Sequence, residues 1–173
     1  MSTYNEAFQK AQNSLQRLSR FKAIWYPDKS LRKFMEQMES HFSSYKEVWL
    51  TGHFSNSFVV RIKDLPSRYP GCDFRVLSLH TTNNRNLESL KLIKKAGGQV
   101  KMHRTLHARM FIGYNEETDT NCLIIGTFDY TREGYGGENV NASLLTHNPE
   151  IIKQARDFFL EEWNSEYAQD IVV

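Results

Sequence analysis

Apolar positions change their spacing several times along the chain, and each change marks an element. From Ser2 to Ile24, Phe8, Leu15, Leu18 and Phe21 recur near multiples of the helical repeat, which predicts an amphipathic helix or a pair of them. Pro27-Asp28 interrupts that pattern, and Lys29 to Phe42 resumes it with Leu31, Phe34, Met35 and Met38 as one stripe. Glu47 to Gly52 reads as a strand, and the polar run from His53 follows where a strand would pass into a helix. Asp73 to His80 is a second strand. A polar loop, Thr81 to Arg85, then leads to a helix from about Asn86 to Ala96, with Leu87, Leu90 and Ile93 inward and Gly97-Gly98 as its stop. Gln99 to His103 is a short strand.

The next two runs are strand-like and end in polar groups. Leu106 to Gly113 alternates His107, Arg109 and Phe111 against Ala108, Met110 and Ile112, so a strand of period two turns the imidazole and the guanidinium to one face. Cys122 to Phe128 climbs through apolar residues, breaks at Gly126, and presents Thr127 and Asp129 on one face if the strand continues. Val140 to Thr146 is a further strand. A final helix from Pro149 to Tyr167 carries Ile152, Ala155, Phe158, Phe159 and Trp163 on its apolar side. The order predicts an α/β fold, a mixed β-sheet flanked by helices, in a single domain over 1–173.

Composition narrows the picture modestly. A chain of 173 residues, 40% hydrophobic, suits one core. A net charge of +2 and a pI near 8.5 are too mild to select a partner, so affinity for nucleic acid has to come from a local patch. Cys72 and Cys122 form neither a disulfide framework nor a metal-type spacing, which suggests a reduced, cytoplasmic protein. Met1 to Lys10 lacks the apolar core of a signal peptide. No run approaches the roughly 18 apolar residues of a membrane helix, so no membrane partner is expected.

The candidate chemistry gathers around the two strand-like runs. His107 is a nucleophile or base, Arg109 a phosphate-binding cation, Thr127 a hydroxyl, Asp129 a carboxylate, and Asn139 and Asn141 are amide donors beyond them. Arginine gives two parallel hydrogen bonds to a phosphate, and a neutral imidazole can attack phosphorus to form a covalent intermediate that water resolves. No Asp, Glu or His set at metal-ligand spacing lies nearby, so no cofactor is expected.

His107-Ala108-Arg109-Met110, the apolar run into Gly126-Thr127-Phe128-Asp129-Tyr130-Thr131, the glycine loop and Glu138-Asn139-Val140-Asn141 together resemble the phospholipase D superfamily, over roughly Leu87 to Trp163. That family's signature is His-x-Lys, then Gly-Ser-x-Asn, then a downstream Glu. The resemblance implies His107 as the nucleophile of a phosphohistidine intermediate. Arg109 stands at the lysine position, Thr127 at the serine, Asp129 at the asparagine and Asn141 at the glutamate; His107 and Gly126 are unaltered. An ionised Asp129 repels phosphate unless it is paired or protonated. One reconciliation exchanges roles: Asp129 orients the imidazole and Asn141 donates to phosphate, with Glu138 as a substitute for Asp129.

Family sites use two such motifs, one histidine attacking and the other protonating the leaving oxygen. This chain has one, and small single-motif members resemble a solution in which two copies meet at a two-fold axis, so the resemblance implies a homodimer. It also implies a metal-independent nuclease acting on DNA or RNA. Lys101 and Arg104, with Lys94, Lys95 and His103, are the local basic residues that would meet a phosphodiester backbone; Asn139 and Glu138 complete the substrate-binding set, and Arg132, Tyr130 and Tyr135 lie beyond. A partner protein would then supply specificity. Two alternatives stay open: a catalytically silent nucleic-acid-binding relative, and a phospholipid or small phosphodiester hydrolase.

Overall fold

The computed structural model describes residues 21–24 as backbone, and residues 35, 36, 38, 40–131 and 142–172 in full. Eight strands form one sheet: β1 (Phe21–Ile24), β2 (Glu47–Gly52), β3 (Asp73–Leu79), β4 (Gln99–His103), β5 (Met110–Tyr114), β6 (Cys122–Gly126), β7 (Ser143–Thr146) and β8 (Ala168–Asp170). Their spatial order is β1-β7-β6-β5-β2-β3-β4-β8. β2, β3 and β4 run parallel, and every other pairing is antiparallel. The helices are α1 (Asn56–Ile62), α2 (Leu65–Arg68), α3 (Asn84–Lys95) and α4 (Pro149–Trp163), and a 3-10 turn covers Phe42–Ser44. The expected mixed sheet with flanking helices is the architecture found.

Strand alternation builds two cores. On β2, Val48 and Leu50 join Phe58, Ile62, Leu90 and Ile93 in the layer with α1 and α3, whereas Trp49 joins Ile152, Phe159 and Trp163 of α4. The Trp49 and Phe159 rings stack at 4.8 Å and those of Phe159 and Trp163 at 5.6 Å, each pair contributing about 0.5–1.5 kcal/mol beyond area burial. The long helices start on asparagine caps: the Asn83 side chain accepts from the backbone N–H of Arg85 and Asn86, and Asn148 does the same for Glu150 and Ile151. α3 stops where expected, with Gly98 N–H on the Ile93 carbonyl and Gly97 N–H on that of Lys94.

The boundaries differ from the sequence expectation in several places. Residues 21–24, read as the end of a helix, are strand β1, because β7 offers an edge whose hydrogen bonds outweigh a weak local preference. The final helix ends at Trp163 instead of Tyr167, and its continuation turns into β8 against β4. Phe158, expected on the apolar side, is 38% exposed. The run from Leu106 becomes strand only at Met110, and the run from Cys122 ends at Gly126, so neither His107 and Arg109 nor Thr127 and Asp129 sit on strands. The helix expected over 2–20 lies outside the described residues, as does the start of the one expected from Lys29.

Candidate active site

In sheets of this kind, ligands bind past the carboxyl ends of the parallel strands. Here the register brings further chain to the same edge. Thr51 pairs with Met110, Gly52 with Ser78, Leu79 with His103, Met110 with Ile125, and Gly126 with Ser143. The ends of β2, β3, β4 and β6 and the starts of β5 and β7 therefore share one border, here termed the upper edge. His53, His80, Arg104, the 106–109 segment and the 127–131 loop all lie along it.

The segment carrying His107 is held on both sides of the histidine. Leu106 is buried, and the Thr51 hydroxyl donates to the Ala108 carbonyl at 3.0 Å in place of a ladder bond. Gly126 N–H reaches the Arg109 carbonyl at 3.2 Å. Between these anchors His107 is exposed, and its imidazole takes no hydrogen bond from the described residues. The Arg109 guanidinium folds back: Nη1 donates to the His107 carbonyl at 2.5 Å, and Nε donates to Asp129 Oδ1 at 2.9 Å. Two of its five N–H groups are engaged in this way.

That ion pair joins the two halves of the motif. Asp129 is a third exposed and Arg109 less so, so the pair is worth on the order of 1 kcal/mol after solvent screening. Asp129 is thus paired, as a carboxylate facing a phosphate has to be, but among the described residues it does not bond the His107 ring as the exchange of roles with Asn141 would require. The Thr127 hydroxyl accepts from Ala142 N–H at 3.1 Å, and Thr127 N–H donates to the Ala142 carbonyl at 3.1 Å. A Cβ on Gly126 would strike Ser143 Oγ and the Ala142 carbonyl, so only glycine lets β7 approach this closely.

Tyr130 pins the loop from beneath. It is fully buried, stacks on Phe54 at 4.5 Å, and donates from its hydroxyl to the Met110 carbonyl at 2.8 Å. Its N–H meets the His53 carbonyl at 2.9 Å and its carbonyl accepts from Ser55 N–H at 3.0 Å, a bridge between the 127–131 loop and the end of β2. Burial pushes the Tyr130 phenol well above its usual range, so it stays neutral. Gly52, with φ +152°, makes the packing possible, because a Cβ there would lie 3.1 Å from the Tyr130 ring. Tyr130 is thereby a core residue, unavailable to stack on bases.

The basic residues divide. Lys101 Nζ donates to the Trp163 carbonyl at 2.9 Å and sits over the Trp163 ring, three strands from β5, which is about 14 Å at the usual strand spacing. Lys94 Nζ donates to the Ile171 carbonyl at 2.8 Å. Arg104 is exposed at the upper edge, and its N–H binds the Tyr167 carbonyl. Glu138, Asn139 and Asn141, with Arg132 and Tyr135, lie outside the described residues. Among the described residues no group of three His, Cys, Asp or Glu is placed to hold a metal ion.

The side chain of His103, expected among the surface cations, is 2% exposed. Nε2 lies 2.8 Å from Glu162 Oε2, and Nδ1 accepts from Thr105 N–H at 3.2 Å. The carboxylate therefore selects the Nε2–H tautomer, and the free Nδ1 lone pair shapes the turn leading to His107. No local signal marks this pair, because Glu162 is 59 positions downstream on another element.

No protein-family model matches the sequence, and no curated protein sequence matches it. Solved structures do. Nuc from Salmonella typhimurium, a phospholipase D family member, superposes with a TM-score of 0.65 at 14% identity, covering 88% of this chain and 98% of that one. NucT from Helicobacter pylori gives 0.66 at 17% identity, covering 87% and 98%. TrmBL2, an archaeal chromatin protein with a novel mode of DNA binding, gives 0.61 at 17% identity, covering 98% of this chain and 64% of that one. Superpositions of this quality at identities this low establish the fold alone.

Proposed function

We propose that this chain, which has the fold of the phospholipase D nucleases, is a metal-independent phosphodiesterase acting on DNA or RNA, with His107 as its nucleophile. The observation that carries the reading is the placement of His107, an exposed imidazole at the upper edge on a segment anchored at Ala108 and Arg109. Such an imidazole is free to attack phosphorus while its backbone is not free to retreat. A ring nitrogen forms the P–N bond, the P–O bond to the leaving oxygen breaks, and that oxygen takes a proton. Water then attacks phosphorus, and the P–N bond breaks to restore the imidazole.

The proton donor in this reading is His107 of a second copy across a two-fold axis, so the active form is a homodimer. The N–H groups of Arg109 that no described residue engages bind phosphate oxygens. A partner protein supplies sequence specificity in this reading.

The Arg109–Asp129 pair favours a second reading, a nucleic-acid-binding protein without turnover, because Asp129 offsets the charge that would draw a phosphate. The likeness to TrmBL2 lends support to it. Incubation with DNA and RNA in EDTA, alongside His107→Ala, separates the two. Cleavage in EDTA that falls at least about 1,000-fold in the variant supports the first reading. Salt-sensitive binding of equal strength in both proteins, without cleavage, selects the second.

A further inference from the structure

Four adjacent strands, β5, β2, β3 and β4, each carry a basic residue at the upper edge. Arg109 precedes β5, His53 follows β2, His80 follows β3 and Arg104 follows β4. The register sets them in a row: Gly52 pairs with Ser78, Leu79 with His103, and His80 N–H bonds the His103 carbonyl at 2.9 Å. Arg85, exposed in the first turn of α3, follows His80 across a short loop, and that turn is tied to the segment after β2 by Asn56 N–H on Asn86 Oδ1.

The edge segments 53–57, 80–86 and 104–109 contain six basic residues, counting histidines, and no Asp or Glu. Three nearby carboxylates face partners, Asp129 with Arg109, Glu162 with His103 and Glu88 with Lys91, while Glu166, one residue before Tyr167, is exposed. The intervening polar residues are ordered as donors. Asn86 Oδ1 accepts from Asn56 N–H at 3.1 Å and Asn56 Oδ1 accepts from the Ser89 hydroxyl, which leaves the NH2 group of each amide as a donor. Phe54, the aromatic residue of these segments, is buried and unavailable for stacking on bases.

We infer that the row from His107 across His80 and Arg85 to Arg104 is a binding track for a phosphodiester backbone, which reads charge and leaves the bases unread. It spans three strand spacings, about 14 Å, enough to hold the strand on one side of the attacked phosphate. The track rests on the proposed nucleic-acid reading and adds His80 and Arg85 to it as binding residues. Because its contacts are with phosphates, binding is independent of base sequence and strongly salt-dependent.

The test compares the full chain with Arg85→Gln and with His80→Gln/Arg85→Gln, using a single-stranded DNA oligonucleotide, its duplex and the RNA of the same sequence. Binding is measured as a function of salt, and hydrolysis of bis(p-nitrophenyl) phosphate reports the His107 chemistry on a substrate too small to reach the track. Expected is a three- to tenfold weaker Kd for Arg85→Gln, and a log K against log salt slope shallower by about 0.9 on duplex or 0.7 on single strand. Small-substrate hydrolysis and thermal unfolding stay at the parent values. Unchanged affinity and slope, with parental cleavage intact, overturn the track and leave the His107 reading standing. A parent protein with no salt-sensitive binding to any of the three probes overturns both.

Discussion

The two long edges of the sheet use polar residues in opposite ways. At the upper edge the basic groups His80, Arg85, Arg104 and His107 are exposed, and the carboxylate that meets them, Asp129, is matched to Arg109. At the opposite edge, where β2 and β3 begin and β5 ends, the charges are largely acidic. Glu47 binds Arg156 through two bonds of 2.8 Å, Asp73 binds Arg75 at 2.9 Å, and Glu116, Glu117 and Asp119 occupy the loop after β5. The polar residues of that loop turn inward: Asn115 donates to the Ser44 carbonyl, and Asn121 Oδ1 accepts from Asn115 N–H. Two cavities of about 310 and 290 Å3 open there, yet their walls carry no excess of positive charge: Asp119 lies with His147 in one, and Glu117 with Lys46 in the other. Charge and exposed donors, more than concavity, distinguish the edge suited to a phosphate chain.

Disrupting one edge and then the other sharpens this contrast. The largest effect falls on the support of the upper edge. Gly52→Ala places a Cβ against Tyr130 at a φ that side chains rarely adopt, and should cost about 2–4 kcal/mol in denaturant unfolding. His103→Ala should cost about 2–3 kcal/mol, since Glu162 and Thr105 N–H lose their partner together. Glu162→Gln keeps a hydrogen-bonding group and should cost less than His103→Ala.

Asp129→Asn tests the charge balance. It should remove on the order of 1 kcal/mol of stability while strengthening nucleic-acid binding and steepening its salt slope by up to about 0.9, because Arg109 is then unopposed. The matching change at the opposite edge, Glu117→Gln, should leave binding unaltered and shift stability by less than about 0.5 kcal/mol. Should Glu117→Gln strengthen binding as much as Asp129→Asn, the distinction between the edges fails.

A separate expected effect, common to both edges, is alkaline. Burial pushes the Cys122 thiol up to about 11 and the Cys72 thiol up to about 12, with Asp73 adding to the shift at Cys72. Each group releases its proton more readily when unfolded, so stability is full below about pH 9 and declines from there toward pH 11–12. Alkylation of either thiol in the folded protein at pH 8 should accordingly be slow.

The legible parts of the fold are those whose signal is local. β2 and β4 match their expected bounds because alternating or apolar runs end on turn residues, and α3 matches closely because Asn83 and Gly97-Gly98 punctuate it. β8 was invisible: Ala168, Gln169 and Asp170 have no strand pattern, and they pair because β4 presents an edge. In the site, His107 stood out by its motif, while the pairing of Arg109 with Asp129 did not, since 20 residues and a strand reversal separate them. His103 misled for the same reason, its exposure being decided by Glu162 on α4. Long-range partners, which a single sequence does not print, decide whether a charged residue serves the surface or the frame.

Covalent trapping tests the central claim most directly. A nuclease reaction quenched during turnover in EDTA and analysed by peptide mass should yield a phosphorus adduct on the peptide containing His107, absent in His107→Ala. Turnover without that adduct, or an adduct on another residue, would contradict the assignment of His107 as the nucleophile.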